Sequence, residues 1–263
     1  MPMNHQVHSF SLAESASLVP FTIFIVGYVV LSAISSRTYR PLPWYCYLCW
    51  ILGVLCLLAS VVGPIASRSH TDFTAHMIVH LLLGMLAPLL FTLAAPMTLI
   101  LRTLGVNQAR LLTRVLRSGL FQFLHNPLTA AVLNMGGLWV LYTTDLYSLM
   151  HQHHILHVLV HVHVFLAGYL FTSSMLLIDP APHRASFQYR TLVLLAALAG
   201  HGILSKHLYA HPPAGVPAAQ AEFGSMLMYY GGDIIDAILI FLLFTEWYRA
   251  SRPRHRLRTL TAE

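Results

Sequence analysis

Apolar residues come in seven long runs, near 18–36, 44–65, 74–101, 128–147, 154–176, 187–208 and 223–247, separated by short polar stretches. Each is close to the roughly 20 residues a helix needs to cross a bilayer core. The pattern predicts an all-α, polytopic integral membrane protein with seven transmembrane helices. The runs fill most of the 263 residues, so 1–263 reads as a single membrane domain without a sizeable soluble part. Two other segments stand apart. From Gly105 to Phe123, Arg110, Arg114 and Arg117 recur at helical spacing while Leu111, Leu112, Val115 and Leu116 line the other side. That amphipathic pattern predicts a helix lying in the membrane interface, ending before His125-Asn126-Pro127. His211 to Ala221, with Pro212, Pro213, Gly215 and Pro217, reads as an external loop. Pro88 and Pro96 predict a bend or break in span three, with the chain from about Pro96 turning along the inner surface. Gly136, Gly137, Gly168, Gly200, Gly231 and Gly232 predict close helix approach.

Composition agrees. The chain is 57% hydrophobic and 9% charged, against about a quarter charged in soluble domains. The positive charges then orient it. Arg37 and Arg40, the four arginines from Arg102 to Arg117, Arg184 and Arg190, and the five from Arg249 to Arg258 fall on one side. Only Arg68 and Lys206 fall on the other. By the positive-inside rule this is N-out, C-in. The basic balance therefore reports topology and lipid headgroups, and nucleic-acid binding is disfavoured. No Lys or Arg lies in the first seventeen residues, so no signal-peptide n-region is expected and span one is read as retained. Cys46, Cys49 and Cys56 are too few for a disulfide framework. With Gly53 they share one stripe of span two, where packing is the expected role and a copper relay the alternative.

The candidate chemistry is histidine. His151, His153, His154, His157, His161 and His163 fall within thirteen residues and run into span five. With N-out topology, His76 and His80 occupy the first turns of span three at the outer side. His157 and His161 repeat the four-residue spacing in span five, which stacks each pair on one helix face. Counting helical rise puts His80, His161 and His201 each about 10 Å below the outer boundary, with Asp233 and Asp236 beneath them in span seven. Ionisable groups inside a membrane are costly and functional by default. Imidazoles on facing helices are ligands for copper, zinc, iron or haem. The expected metal ligands are thus His76, His80, His157, His161 and His201. Asp233 would orient an imidazole, or Asp233 and Asp236 would relay protons. Met77, Met150, Met226 and Met228 at the same end would favour Cu(I) if they point inward. His5, His8, His70, His151, His153, His154 and His211 read as solvated, or as a metal-collecting rim. His207 points to a headgroup contact, and His163 to a hydrogen bond with another span.

His76 to Leu83, Ala87-Pro88, Ala95 to Leu99, His125-Asn126-Pro127, Leu138 to Tyr147, His157-x-x-x-His161, Gly200-His201 and Gly232-Asp233 together resemble the seven-span CtaG-like assembly factors of cytochrome c oxidase. The resemblance covers roughly residues 18 to 250. It implies a non-enzymatic, multi-pass protein of the bacterial plasma membrane that helps mature a haem-copper oxidase. Its partners would be oxidase subunits and the lipid bilayer, and copper its cargo, handled on the outer side. No nucleophile–base–orienter set falls in the polar cluster, so hydrolytic chemistry is not expected. The alternatives are a haem-binding redox protein with bis-histidine ligation and, ranked lowest, a proton-coupled transporter.

Overall fold

The computed structural model describes residues 12–180 and 184–251, with the side chains of 12–17 excepted. His5, His8, His183 and the four arginines from Arg252 to Arg258 lie outside the described residues. Helices α1 (Leu12–Ser36) and α2 (Trp44–Val61) open the chain, and one turn, α3 (Pro64–Arg68), leads into the central helix. That helix has three parts: α4 (Phe73–His80), a π-helical stretch π1 (Leu81–Leu86) and α5 (Ala87–Leu93). Short helices α6 (Pro96–Thr103), α7 (Val106–Leu116) and α8 (Gly119–Leu124) follow. The next run is again composite, with α9 (Pro127–Ala131), the π-helical π2 (Val132–Gly136) and α10 (Gly137–Thr143). A short α11 (Leu146–Gln152) precedes the long α12 (His154–Met175), α13 (Phe187–Ala210) and α14 (Ala218–Ser251).

Among the described residues, six helices are long and apolar enough to cross a membrane: Leu18–Ser36, Trp44–Arg68, Phe73–Leu93, His154–Met175, Phe187–Ala210 and Ala218–Ser251. The seventh expected span, 128–147, is instead the shorter run from Pro127 to Thr143, bent by π2 and separated from α11. Span seven begins earlier than expected, because Ala218 to Ala221 are already helical. The amphipathic segment is two helices, parted at Arg117 and Ser118.

Span three ends at Leu93 rather than near 101. Ala95 adopts a left-handed conformation (φ 51°), and Pro96 starts a new helix in another direction. Proline has no N–H to continue the ladder, and an alanine at positive φ is sterically strained. Three neighbours absorb the break. The Tyr28 hydroxyl donates to the Ala94 carbonyl at 2.6 Å, and the Cys46 thiol to that of Leu93 at 3.6 Å. The Asp179 carboxylate accepts from the backbone N–H groups of Met97 and Thr98 and from the Thr98 hydroxyl. Burial pushes the Asp179 carboxyl above its ordinary range, and those three hydrogen bonds pull it partly back. Cys46 is thereby a structural donor, while Cys49 and Cys56 pack in apolar clusters with α1 and α5.

The Phe73–Leu93 helix is the pillar of the bundle: 67% of its most apolar window is buried, against 17–39% for the other spans. Its upper half packs on α14, its lower half on α2 and α12, and α13 packs along α14. Small residues permit these approaches. A Cβ on Gly168 of α12 would lie 2.2 Å from the Gly84 carbonyl oxygen, and one on Gly231 would meet the Leu81 side chain at 2.6 Å. Gly200, by contrast, faces open space, so its expected packing role is not seen. At the end opposite the histidines, Arg190 is buried and paired with Glu246 at 3.1 Å, and also donates to the Met175 carbonyl. It ties α13 to α14 and α12 and is no headgroup contact.

Two outcomes follow from this packing. Gly168→Ala drives a methyl into backbone that cannot move aside, and should cost about 1–3 kcal/mol, read as a lower midpoint of thermal unfolding in detergent. Arg190→Ala strands Glu246 and the Met175 carbonyl and should cost on the order of 3 kcal/mol, whereas Arg184→Ala should leave the midpoint unchanged.

Candidate functional site

The start of α4 is fixed by polar caps. The Asp72 side chain accepts from the Thr74 N–H at 2.9 Å, and the Gln220 side chain, from the first turn of α14, accepts from the Phe73 N–H at 3.1 Å. These contacts satisfy donors that every helix N-terminus leaves open. They also set the rotation of α4, which turns His76 and His80 inward, each 4% exposed. Around them packs an apolar cluster of Phe73, Met77, Leu141, Tyr142, Tyr147, Met150, Leu204, Leu208 and Met228. The thioethers of Met77, Met150 and Met228 are buried in that cluster, and Met226 is exposed.

The histidines of separate helices do converge. His76, His80 and His161 line one small cavity of about 10 Å³ together with Tyr142. The ring centroids of His76 and His161 are 6.2 Å apart and nearly perpendicular, and those of His157 and His161 are 4.1 Å apart and stacked. His80 faces His201 at 6.1 Å with near-parallel rings. His161 donates Nδ1–H to the His157 carbonyl at 2.9 Å, which leaves its Nε2 as a lone pair. His76 Nε2 is 3.1 Å from the Tyr142 hydroxyl. Among the described residues, seven buried side-chain polar atoms have no hydrogen-bond partner, and four are imidazole nitrogens: His76 Nδ1, His80 Nε2, His157 Nε2 and His201 Nε2. Among the described residues no three His, Cys, Asp or Glu side chains stand close enough to hold a metal ion without moving.

Below this pocket is a second cavity, of about 30 Å³, lined by Gly84, Asn134, Thr172, His201 and Asp236 among apolar neighbours. It has room for a water molecule. The two carboxylates predicted to act together differ in exposure but remain close enough to interact, and Asp233 also acts electrostatically on His201. Asp236 is buried at 8% exposure and lines the cavity, whereas the Asp233 side chain is exposed on α14 and makes no hydrogen bond to an imidazole. It is the neighbouring Gly232 that meets His201: a Cβ there would be 2.5 Å from the ring.

The remaining histidines sort by environment. His163 Nε2 lies 3.2 Å from the Leu133 carbonyl in π2, the hydrogen bond to another segment that the sequence predicts. His207 stacks between Trp139 and His211. His153, His154 and His211 are exposed. His70 and His151 are not simply solvated: His70 stacks on His157 at 4.6 Å, and His151 lies 6.0 Å from His76 and 6.4 Å from His157.

Sequence reasoning missed Tyr142, Tyr147, Asn134 and Asp179. Tyr142 and Tyr147 form an aromatic wall on His76, with ring centroids 5.9 and 5.1 Å from it. A tyrosine in an apolar run reads as packing, and Tyr142 and Tyr147 lie on two helices either side of a break, so no periodicity in the sequence brings them together. Asn134 offered a signal, a lone amide inside an apolar segment, which in a membrane demands a polar environment.

Comparison with known proteins matches this architecture to one family. Residues 23–250 match the cytochrome c oxidase caa3 assembly factor family, Caa3_CtaG. An uncharacterized protein of Mycobacterium leprae is 28% identical over 95% of this chain and 41% of its own length. Uncharacterized proteins of Mycobacterium bovis and Mycobacterium tuberculosis are each 29% identical over 68% of this chain and 28% of their own lengths. The chain thus spans less than half the length of these curated relatives. No solved structure matches it. Since the matched region takes in both the central helix and the histidine-bearing segment of α12, the chain belongs to the cytochrome c oxidase caa3 assembly factor family.

Proposed function

We propose that this protein assists maturation of a haem-copper oxidase by holding a copper ion in the membrane between His76, His80 and His161, with His157 and His201 flanking, and passing it to an oxidase subunit. The observation that carries the reading is the set of unpartnered buried imidazole nitrogens at and beside one cavity: His76 and His80 line it, while His157 stacks on His161 and His201 faces His80. Each such atom costs about 1–3 kcal/mol when left unpaired, and a metal ion would satisfy several at once. The spacing supports this. With metal–nitrogen bonds of about 2.0 Å, two imidazoles on one ion have ring centroids roughly 5–6.5 Å apart, and His76 and His161 stand at 6.2 Å. The hydrogen bond from His161 Nδ1 holds the tautomer whose Nε2 can coordinate. Bringing in His80 requires its side chain to move, and that cost weakens binding, which suits an ion carrier that must release its cargo.

The role is non-catalytic: the side chains bind, orient and release an ion. In this reading the run from Pro127 to Thr143, about 25 Å long at 1.5 Å per residue, crosses the bilayer with the six long helices. It packs on α12 and α13. The protein is then N-out and C-in in the bacterial plasma membrane, with the copper pocket toward the outer face and the arginine-rich helices at the inner one. The haem alternative is disfavoured by size, since a cavity of about 10 Å³ between the rings does not admit a macrocycle.

Purified wild type should carry copper, and His80→Ala/His161→Ala should bind it more weakly by at least the roughly 10–100-fold that loss of an outer-sphere partner costs. Oxidase activity in membranes of cells carrying the variant should fall in parallel. Equal copper content and equal oxidase activity would overturn the proposal. The purified protein should show no Soret band, and a stoichiometric one would instead support haem.

A further inference from the structure

Three histidines from three different elements meet above the membrane pocket. His70 lies in the turn after α3, His151 in α11 and His157 in the first turn of α12. The ring centroids are 4.6 Å apart for His70 and His157, 6.5 Å for His70 and His151, and 6.4 Å for His151 and His157. Two of the three imidazoles offer a free nitrogen. His151 donates Nδ1–H to the Tyr147 carbonyl at 2.8 Å, which leaves its Nε2 as a lone pair, and His157 Nε2 is buried without a partner. A cleft of about 290 Å³ between the start of α4, α11 and the 211–217 loop has His70 and His151 in its wall, with Tyr147, Gln152 and Gln220.

We propose that His70, His151 and His157 form a second, outer metal site that takes up copper(I) from solution and loads the membrane pocket. Neutral imidazoles are ligands for copper among other transition metals, and because the His70 and His157 rings are stacked, His70 has to turn for the three nitrogens to meet on one ion. His70 is exposed, so its ring can swing to complete a three-nitrogen set without repacking the core. The inner pocket is one ligand step away: His157 stacks on His161 at 4.1 Å, and His151 stands 6.0 Å from His76. The ion moves inward by exchange, one copper–nitrogen bond forming at His161 or His76 as one at His157 or His151 breaks. Its oxidation state does not change. The loading role rests on the membrane-pocket reading above, whereas the outer site does not.

Copper(I) titration of the full chain in detergent, against a colorimetric chelator, separates the two. Wild type is expected to bind about two ions, one per set of imidazole ligands. His70→Ala/His151→Ala should lose one equivalent and keep the other, and His80→Ala/His161→Ala should keep the outer one. Helical content by circular dichroism confirms folding, and His70→Gln/His151→Gln repeats the test with less loss of volume. If wild type binds one ion and both outer variants retain it with unchanged affinity, the outer site is overturned and the membrane pocket stands. A single ion lost only in the outer variants upholds the outer site and overturns the membrane pocket. Binding of no copper by wild type overturns both.

Discussion

A polar group in the interior of a bilayer finds its partner inside the protein or has none, and this constraint organises the molecule. Its effect is clearest on the Phe73–Leu93 helix. At the upper end, Asp72 and Gln220 take the open N–H groups. At the lower end, Tyr28 and Cys46 take carbonyls freed by the break before Pro96, and Asp179 caps the helix that follows. With both ends anchored by α1, α2, α14 and the segment after α12, the helix cannot rotate. The inward direction of His76 and His80 follows from that fixity.

Against this background of satisfied polar groups, the unpaired imidazoles are the exception. Ser35, Ser225 and Arg190 each have one unpartnered atom at scattered places, but the four imidazole nitrogens gather in one half of the bundle. The vertical order is also regular. A tier of exposed His70 and half-buried His151 leads to His157 and His161, then to the cavity shared with His76 and His80, and then to His201 above Asp236. The two π-helical stretches flank the lower part of this column. Gly84 of π1 and Asn134 of π2 both line the cavity that holds Asp236. A π turn widens a helix and frees a carbonyl, and the Leu133 carbonyl of π2 is the one that His163 approaches.

The chain's own pattern was enough for the count of membrane-length helices within one, the break near Pro96, the helical arginine-bearing segment and the likeness to the assembly-factor family. It was also enough to place His80, His161 and His201 at a similar depth, because helical rise fixes depth and four-residue spacing fixes face, while the pairing of His76 with His161 and of His80 with His201 came from the packing. It misjudged what depends on rotation about a helix axis. Asp233 and Asp236 share a face by spacing and do interact, yet spacing could not tell that Asp236 lines the cavity while Asp233 is exposed. Arg190 counts as an inner positive charge by position, yet it is buried on Glu246.

By itself the sequence determined which segments are apolar and long enough to span a membrane and how far along each helix a residue sits, since hydrophobic length and helical rise are local properties of the chain. Only the tertiary structure decided which of those residues meet. Azimuth, helix tilt and the fold of the 63–72 turn depend on long-range contacts such as Gly84 with Gly168 and Phe73 with Gln220. That is why His70 and His151, unremarkable in a histidine-rich chain, proved to stand beside His157.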